Sequence, residues 1–188
     1  MSAAAAGGTP PGENSSGGDP SAERLVGENP LVDLVIEEPR WEAAGIASVA
    51  EAAARRTLEA AGRDPARHEV SLLACDDARI AALNADFRGK PGPTNVLSWP
   101  AFEEAVPAPA AEGPEPLFLG DLALAYETCA REAEEGGIAL ADHAAHLVVH
   151  GLLHLLGYDH EMEDEADEME MFETKILASL GVADPYSR

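Results

Sequence analysis

Apolar positions recur along this chain in two rhythms, one of period two and one near 3.6, and together they predict a run of short strands and amphipathic helices. Leu31–Ile36 (LVDLVI) is a compact apolar run followed by Pro39 and reads as a first strand. Over Trp41–Ala61 the residues Ile46, Val49, Ala50, Ala53 and Thr57 share one helical face, and Gly62 stands where that helix stops. Glu69–Cys75 alternates, with Val70, Leu72 and Ala74 on one side, and is a second strand. Asp76 and Asp77 then offer N-caps for a helix over Ala78–Phe87, whose Ile80, Leu83, Asn84 and Phe87 share a face. Asn95–Trp99 is a third strand, closed by Pro100, and Leu117–Ala125 a fourth. Glycine inside a strand marks a bulge or a close backbone approach, so Gly120 within the fourth strand is expected to do one of these.

Three helices complete the pattern. Tyr126–Glu135 ends at Gly136-Gly137, Leu140–Leu156 is apolar almost all round apart from its histidines, and Glu161–Leu180 carries Met169, Phe172, Ile176 and Leu180 on one face. This order predicts an α+β fold: a small mixed four-stranded sheet packed against a buried histidine-bearing helix and flanking helices. Residues Met1–Asn29 are rich in Ala, Gly, Ser and Pro without apolar periodicity, and are expected to be a disordered extension. Residues 30–188 are expected to form a single domain, with Glu103–Pro116 as an exposed loop.

Composition narrows the function classes. The 188 residues carry 12 Lys plus Arg against 35 Asp plus Glu, a formal net charge of -23. Such a charge opposes broad nucleic-acid binding, so any RNA affinity must come from a local basic patch, a metal or a partner that delivers the substrate. No run approaches the roughly 18 apolar residues of a membrane span, and the N-terminal stretch lacks the basic start and apolar core of a signal peptide, so a soluble cytoplasmic protein is expected. Cys75 and Cys129 sit in apolar surroundings without CxxC spacing and read as buried thiols.

The chemistry concentrates in His150-Gly151-Leu152-Leu153-His154-Leu155-Leu156-Gly157-Tyr158-Asp159-His160. At about 3.6 residues per turn, His150 and His154 lie one turn apart on one helical face and can aim at a common point. Gly157 can adopt the left-handed conformation that ends a helix, letting the chain turn back and bring His160 to the same place. Three imidazoles with one open position form a common recipe for catalytic zinc, so one Zn2+ per chain is expected on His150, His154 and His160. His146 also stands four residues before His150, but the turn at Gly157 favours His154. His143 and His146 are assigned to packing or to supporting the ligands. The spacing matches that of the metzincin proteases except that Gly151 stands where their HExxH glutamate acts as general base.

Beside the histidines, Asp159 either orients a ligand or accepts a proton, or simply supports the turn. Arg88 and Lys90, in the turn-rich Arg88-Gly89-Lys90-Pro91-Gly92-Pro93-Thr94, form a candidate phosphate-binding element: a guanidinium makes paired bonds to phosphate and stabilises charge growing there. The plainer alternative is a solvated cation at a helix C-terminus. The acidic run Glu161–Glu173 reads as a solvated helix face.

From about Leu31 onward the chain resembles the YbeY-type endoribonucleases, or ribosomal RNA maturation factors. The resemblance rests on HGLLHLLGYDH (His150–His160), LNADFRGKPGPTNVLSWP (Leu83–Pro100), LGDLAL (Leu119–Leu124) and the tail Asp184-Pro185-Tyr186. It implies a zinc-binding α+β fold with the metal on His150, His154 and His160, a functional role for Arg88, and single-strand endoribonuclease activity. It further implies action on single-stranded RNA, in maturation of the 3′ end of small-subunit ribosomal RNA and in ribosome quality control. With a net charge of -23, small-subunit ribosomal proteins or an assembly GTPase are expected as partners that deliver the RNA. Where many members read TDVLSF, this chain has Thr94-Asn95-Val96-Leu97-Ser98-Trp99, so Asn95 is given no catalytic role.

The expectation is a metal-dependent RNA hydrolase with catalytic Arg88 and Asp159 and substrate-binding Arg88 and Lys90; the general base stays open among Asp159, a metal hydroxide and the RNA's 2′-hydroxyl. Two alternatives stand beside it: an assembly factor whose zinc is structural, and a metallopeptidase, which Gly151 disfavours.

Overall fold

The computed structural model describes residues 30–103, 106–107, 115–158 and 163–187. The predicted N-terminal extension, most of the 103–116 loop, and Asp159 and His160 lie outside the described residues.

Four strands form one mixed sheet in the order β1-β2-β4-β3, from β1 (Val32–Ile36), β2 (His68–Cys75), β3 (Val96–Pro100) and β4 (Leu117–Ala125). The first three of that order run parallel, and β3 pairs antiparallel to β4. Between them lie α1 (Arg40–Ala43), α2 (Ile46–Ala60), α3 (Asp77–Arg88), α4 (Tyr126–Gly136), α5 (Leu140–Leu155) and α6 (Glu163–Ser179). The α+β class and the mixed four-stranded sheet are therefore as the periodicity predicts.

The alternation of the strands sorts the helices between the two faces. Val70, Leu72 and Ala74 of β2 and Leu119, Leu122 and Leu124 of β4 join the main core with α2, α5 and α6. Their out-of-phase neighbours Cys75, Ala123 and Ala125 form a smaller cluster with Ile80 of α3 and Leu97 of β3. Helix α5 supplies Leu152, Leu153 and Leu155, all buried, and each such side chain contributes about 2 kcal/mol on removal from water.

Gly120 shows both features expected of it. The β2–β4 register shifts between Glu69 and Ser71, and a Cβ on Gly120 would lie 2.2 Å from the Trp99 carbonyl oxygen across the β3–β4 pair. Only a residue without a side chain fits there.

Two expectations need correction. The helix read over Trp41–Ala61 is two helices, α1 and α2, separated at Ala44 and Gly45, where φ is 71°. Trp41 is fully buried and its Nε1 donates to the Cys75 carbonyl at 3.0 Å, an anchor at the end of β2 that the axis of α2 does not serve. Phe87 closes no core face either: it is 67% exposed and meets Trp99 edge-on at 5.6 Å.

Candidate metal centre

No side-chain cap closes the N-terminus of helix α5, which is positioned by packing against the sheet. Gly151 lies against the sheet, where an added Cβ would come within 2.7 Å of Leu122 Cδ2, so the absence of a side chain there sets how closely the helix approaches β4. This approach turns His143, His146, His150 and His154 away from the sheet, and every one of them has a defined partner.

At the C-terminal end of α5, Gly157 has φ 91°, its N–H donates to the His154 carbonyl at 3.0 Å, and the Tyr158 N–H donates to the Leu153 carbonyl at 3.0 Å. This pair of bonds is the Schellman closure, which requires a left-handed residue at its turn and so favours glycine. The closure has a chemical consequence. It carries the Tyr158 carbonyl oxygen to 3.0 Å from His154 Nδ1.

His150 is held from the other side. Its Nδ1 lies 2.7 Å from Oε1 of Glu173 on α6, and Oε2 of that carboxylate is 3.1 Å from His146 Nε2 and also accepts from the Tyr186 hydroxyl. Burial alone would push the Glu173 carboxyl up, but donation from His146, His150 and Tyr186 outweighs it and holds the group at about 2. Glu173 is thus an ionised, acceptor-only group, and both of its histidine partners present N–H to it. The Tyr186 hydroxyl is pushed far up, first by burial and then by the neighbouring carboxylate, so it stays a donor.

With each Nδ1 beside an oxygen acceptor, neutral rings would carry their lone pairs on Nε2, and the Nε2 atoms of His150 and His154 are 3.1 Å apart. Two nitrogens bound at about 2.0–2.1 Å to one tetrahedral zinc are separated by about 3.3 Å. The chelating distance and the tautomers therefore suit a metal ion shared by the pair. Among the described residues no group of three or more His, Cys, Asp or Glu is arranged to hold a metal, and the third predicted ligand, His160, lies outside them, as does Asp159.

The remaining predicted residues fall elsewhere. Arg88 is the last residue of α3 and Lys90 follows its Gly89 cap; both are exposed. Ile80 of α3 packs on the sheet face opposite α5, and among the described residues no hydrogen bond or ion pair joins Arg88 or Lys90 to the histidine pair. His143 Nε2 contacts Glu132 of α4 at 2.7 Å, and the same carboxylate accepts from Asn95 Nδ2 at 3.0 Å, so Asn95 is a structural partner of α4. Burial pushes the Cys75 and Cys129 thiols up to about 12, which keeps both protonated.

Glu173 corrects the expectation that 161–173 is uniformly a solvated face, since it is fully buried. A signal for it existed in the sequence: Glu173 falls in the Met169, Phe172, Ile176 and Leu180 stripe, an acid on an apolar face that needs a buried partner.

A family model described as Endoribonuclease YbeY matches residues 36–181. The chain is 54% identical over 158 residues to the Endoribonuclease YbeY of Jannaschia sp. (strain CCS1), covering 82% of this chain and 99% of that protein. It is 53% identical over 163 residues to the Endoribonuclease YbeY of Ruegeria pomeroyi, covering 83% of this chain and 98% of that protein. Its identity to the protein of the same name from Rhodospirillum rubrum is 52% over 160 residues, with 80% and 78% covered.

Proposed function

Since the chain belongs to the YbeY endoribonuclease family, we propose that it is a zinc-dependent, single-strand-specific endoribonuclease that matures the 3′ end of small-subunit ribosomal RNA and serves ribosome quality control in the cytoplasm. Family membership supports the RNA-cleaving activity. The observation that carries the metal dependence is the convergence of His150 Nε2 and His154 Nε2 to 3.1 Å with both Nδ1 atoms tied to oxygen acceptors.

His150, His154 and His160 would hold the ion, which supplies positive charge that polarises an oxygen at the scissile phosphate. The residues of the chain do the rest. Glu173 and the Tyr158 carbonyl fix the ring tautomers, so the ligand lone pairs are in place before any substrate arrives. Arg88 and Lys90 offer exposed cations for the RNA backbone, and Asp159 is a candidate proton acceptor beside His160. The net charge of -23 leaves little general attraction for RNA, which supports delivery by small-subunit ribosomal proteins or an assembly GTPase.

The test is cleavage of single-stranded RNA by the purified protein with and without a chelator, alongside His154→Ala. Cleavage should be lost in both; activity that survives both would sink the metal mechanism. The same charge favours a second reading, an assembly factor with a structural zinc, and Arg88→Ala separates the two. If that variant keeps its fold and metal but loses processing, the chemistry is local; normal processing favours the second reading.

A further inference from the structure

We propose that Tyr186 is a positioning residue for the histidine pair, acting through Glu173, so that the C-terminal segment sets the affinity of the α5 site for a divalent cation. This rests on the reading of His150 and His154 as ligands.

Glu173 is fully buried between α5 and α6, close to Met169, Ile176 and Leu177 in the main core. A buried carboxylate in such a place is tolerated only when its oxygens are well supplied with donors. Helix α5 supplies two, at His146 and His150, and the third comes from Tyr186, 13 residues along the chain.

The segment bearing Tyr186 is itself fixed. The Asp184 carboxylate accepts from the Tyr186 N–H at 2.9 Å and from the Thr174 hydroxyl of α6 at 3.2 Å, and the Ser187 hydroxyl donates to the Asp184 carbonyl at 3.0 Å. The Tyr186 ring also meets the His146 ring edge-on, with centroids 5.7 Å apart. The hydroxyl therefore approaches Glu173 from a set direction.

Tyr186 and His146 share Oε2, while Oε1 is left to His150 Nδ1. Holding Oε2 in this way pins the rotation of the carboxylate, and that rotation orients the His150 ring and keeps its lone pair on Nε2. Carboxylates that orient metal-binding histidines typically affect metal affinity by about 10–100-fold. A residue that positions such a carboxylate acts at one further remove, so a smaller effect is expected.

The experiment measures zinc binding to the full chain by competition with a chromophoric chelator, and records the visible spectrum of the cobalt(II) form. Wild type, Tyr186→Phe, Glu173→Gln and His154→Ala are compared, with circular dichroism and unfolding midpoints taken in chelator. Tyr186→Phe should bind zinc about 3–10-fold more weakly and show an altered cobalt spectrum with an unchanged metal-free midpoint; Glu173→Gln should lose about 10–100-fold. Wild-type affinity and spectrum in Tyr186→Phe would overturn the proposal while leaving the ligand assignment standing. So would a loss of affinity that merely follows a lowered midpoint while the cobalt spectrum stays the same. A wild-type protein that binds no more zinc than His154→Ala would instead overturn the ligand assignment, and this inference with it.

Discussion

Single residues decide what chemistry the centre admits. Gly151 occupies the position of the metzincin base, yet a Cβ added there would lie 2.7 Å from Leu122 Cδ2 and 3.5 Å from Val96 Cγ2. Gly151→Glu would overpack this contact and bury a charge, and is expected to destabilise the fold by about 4 kcal/mol or more, read from urea unfolding. A well-folded Gly151→Glu protein with metal-dependent peptidase activity would contradict this account. Arg88→Ala is expected to lower RNA cleavage about 100-fold at unchanged metal content, the usual scale for losing one charge-stabilising donor. His68 is a third case, remote from the chemistry. It is 3% exposed, its Nδ1 lies 2.8 Å from the Asp64 carbonyl, and its Nε2 has no hydrogen-bond partner among the described residues. Burial lowers its pKa below the ordinary 6.5, so the unfolded chain binds the proton more readily than the folded one. The stability contributed by keeping His68 neutral is complete above about pH 6.5 and falls as the pH drops toward the lowered value. Unfolding free energies at pH 7 and pH 5 should differ less in His68→Asn than in wild type.

At the scale of elements, the end of α5 couples helix termination to ligand orientation. The closure at Gly157 both satisfies the last carbonyls and delivers the Tyr158 oxygen to His154 Nδ1. Gly157→Ala forces a side chain into the left-handed region and should cost about 1 kcal/mol, or ~3 °C in the unfolding midpoint. Because the Tyr158 carbonyl would shift with the turn, zinc affinity should also fall, by about 10-fold on the scale of lost supporting hydrogen bonds. A variant equally destabilised elsewhere, such as Leu58→Ala in α2, should leave zinc affinity unchanged, and the comparison separates a local effect from a global one.

For the whole molecule, charge governs encounter with substrate. With 35 acidic against 12 basic residues, the chain repels RNA at a distance, while exposed cations such as Arg88 and Lys90 offer local attraction. The range of that repulsion is about 10 Å at 0.1 M salt and grows as salt is removed. The KM for a single-stranded RNA should therefore fall, or stay level, as monovalent salt is raised from low values, the reverse of the weakening shown by basic nucleic-acid binders. A KM that rises steeply with salt would show that the local cations outweigh the overall field.

Much of this was legible in the sequence, because it depends on neighbours along the chain. Period-two and period-3.6 patterns located all four strands and the long helices, the spacing of His150 and His154 placed two imidazoles on one helical face, and Gly120 and Gly157 marked a close approach and a helix end. Residue spacing within a strand or helix directly sets which side chains share a face. Helix boundaries governed by distant anchors were less accessible: Trp41 binds the carbonyl of Cys75, 34 residues away, and the break at Gly45 accompanies that contact. Only the tertiary structure decided what stands behind the ligands. Glu173 reaches His146 and His150 from 27 and 23 residues away along the chain, and Tyr186 joins them through the same carboxylate. Such meetings depend on how helices pack across the sheet, and local periodicity specifies the face each helix presents but not the residue it meets.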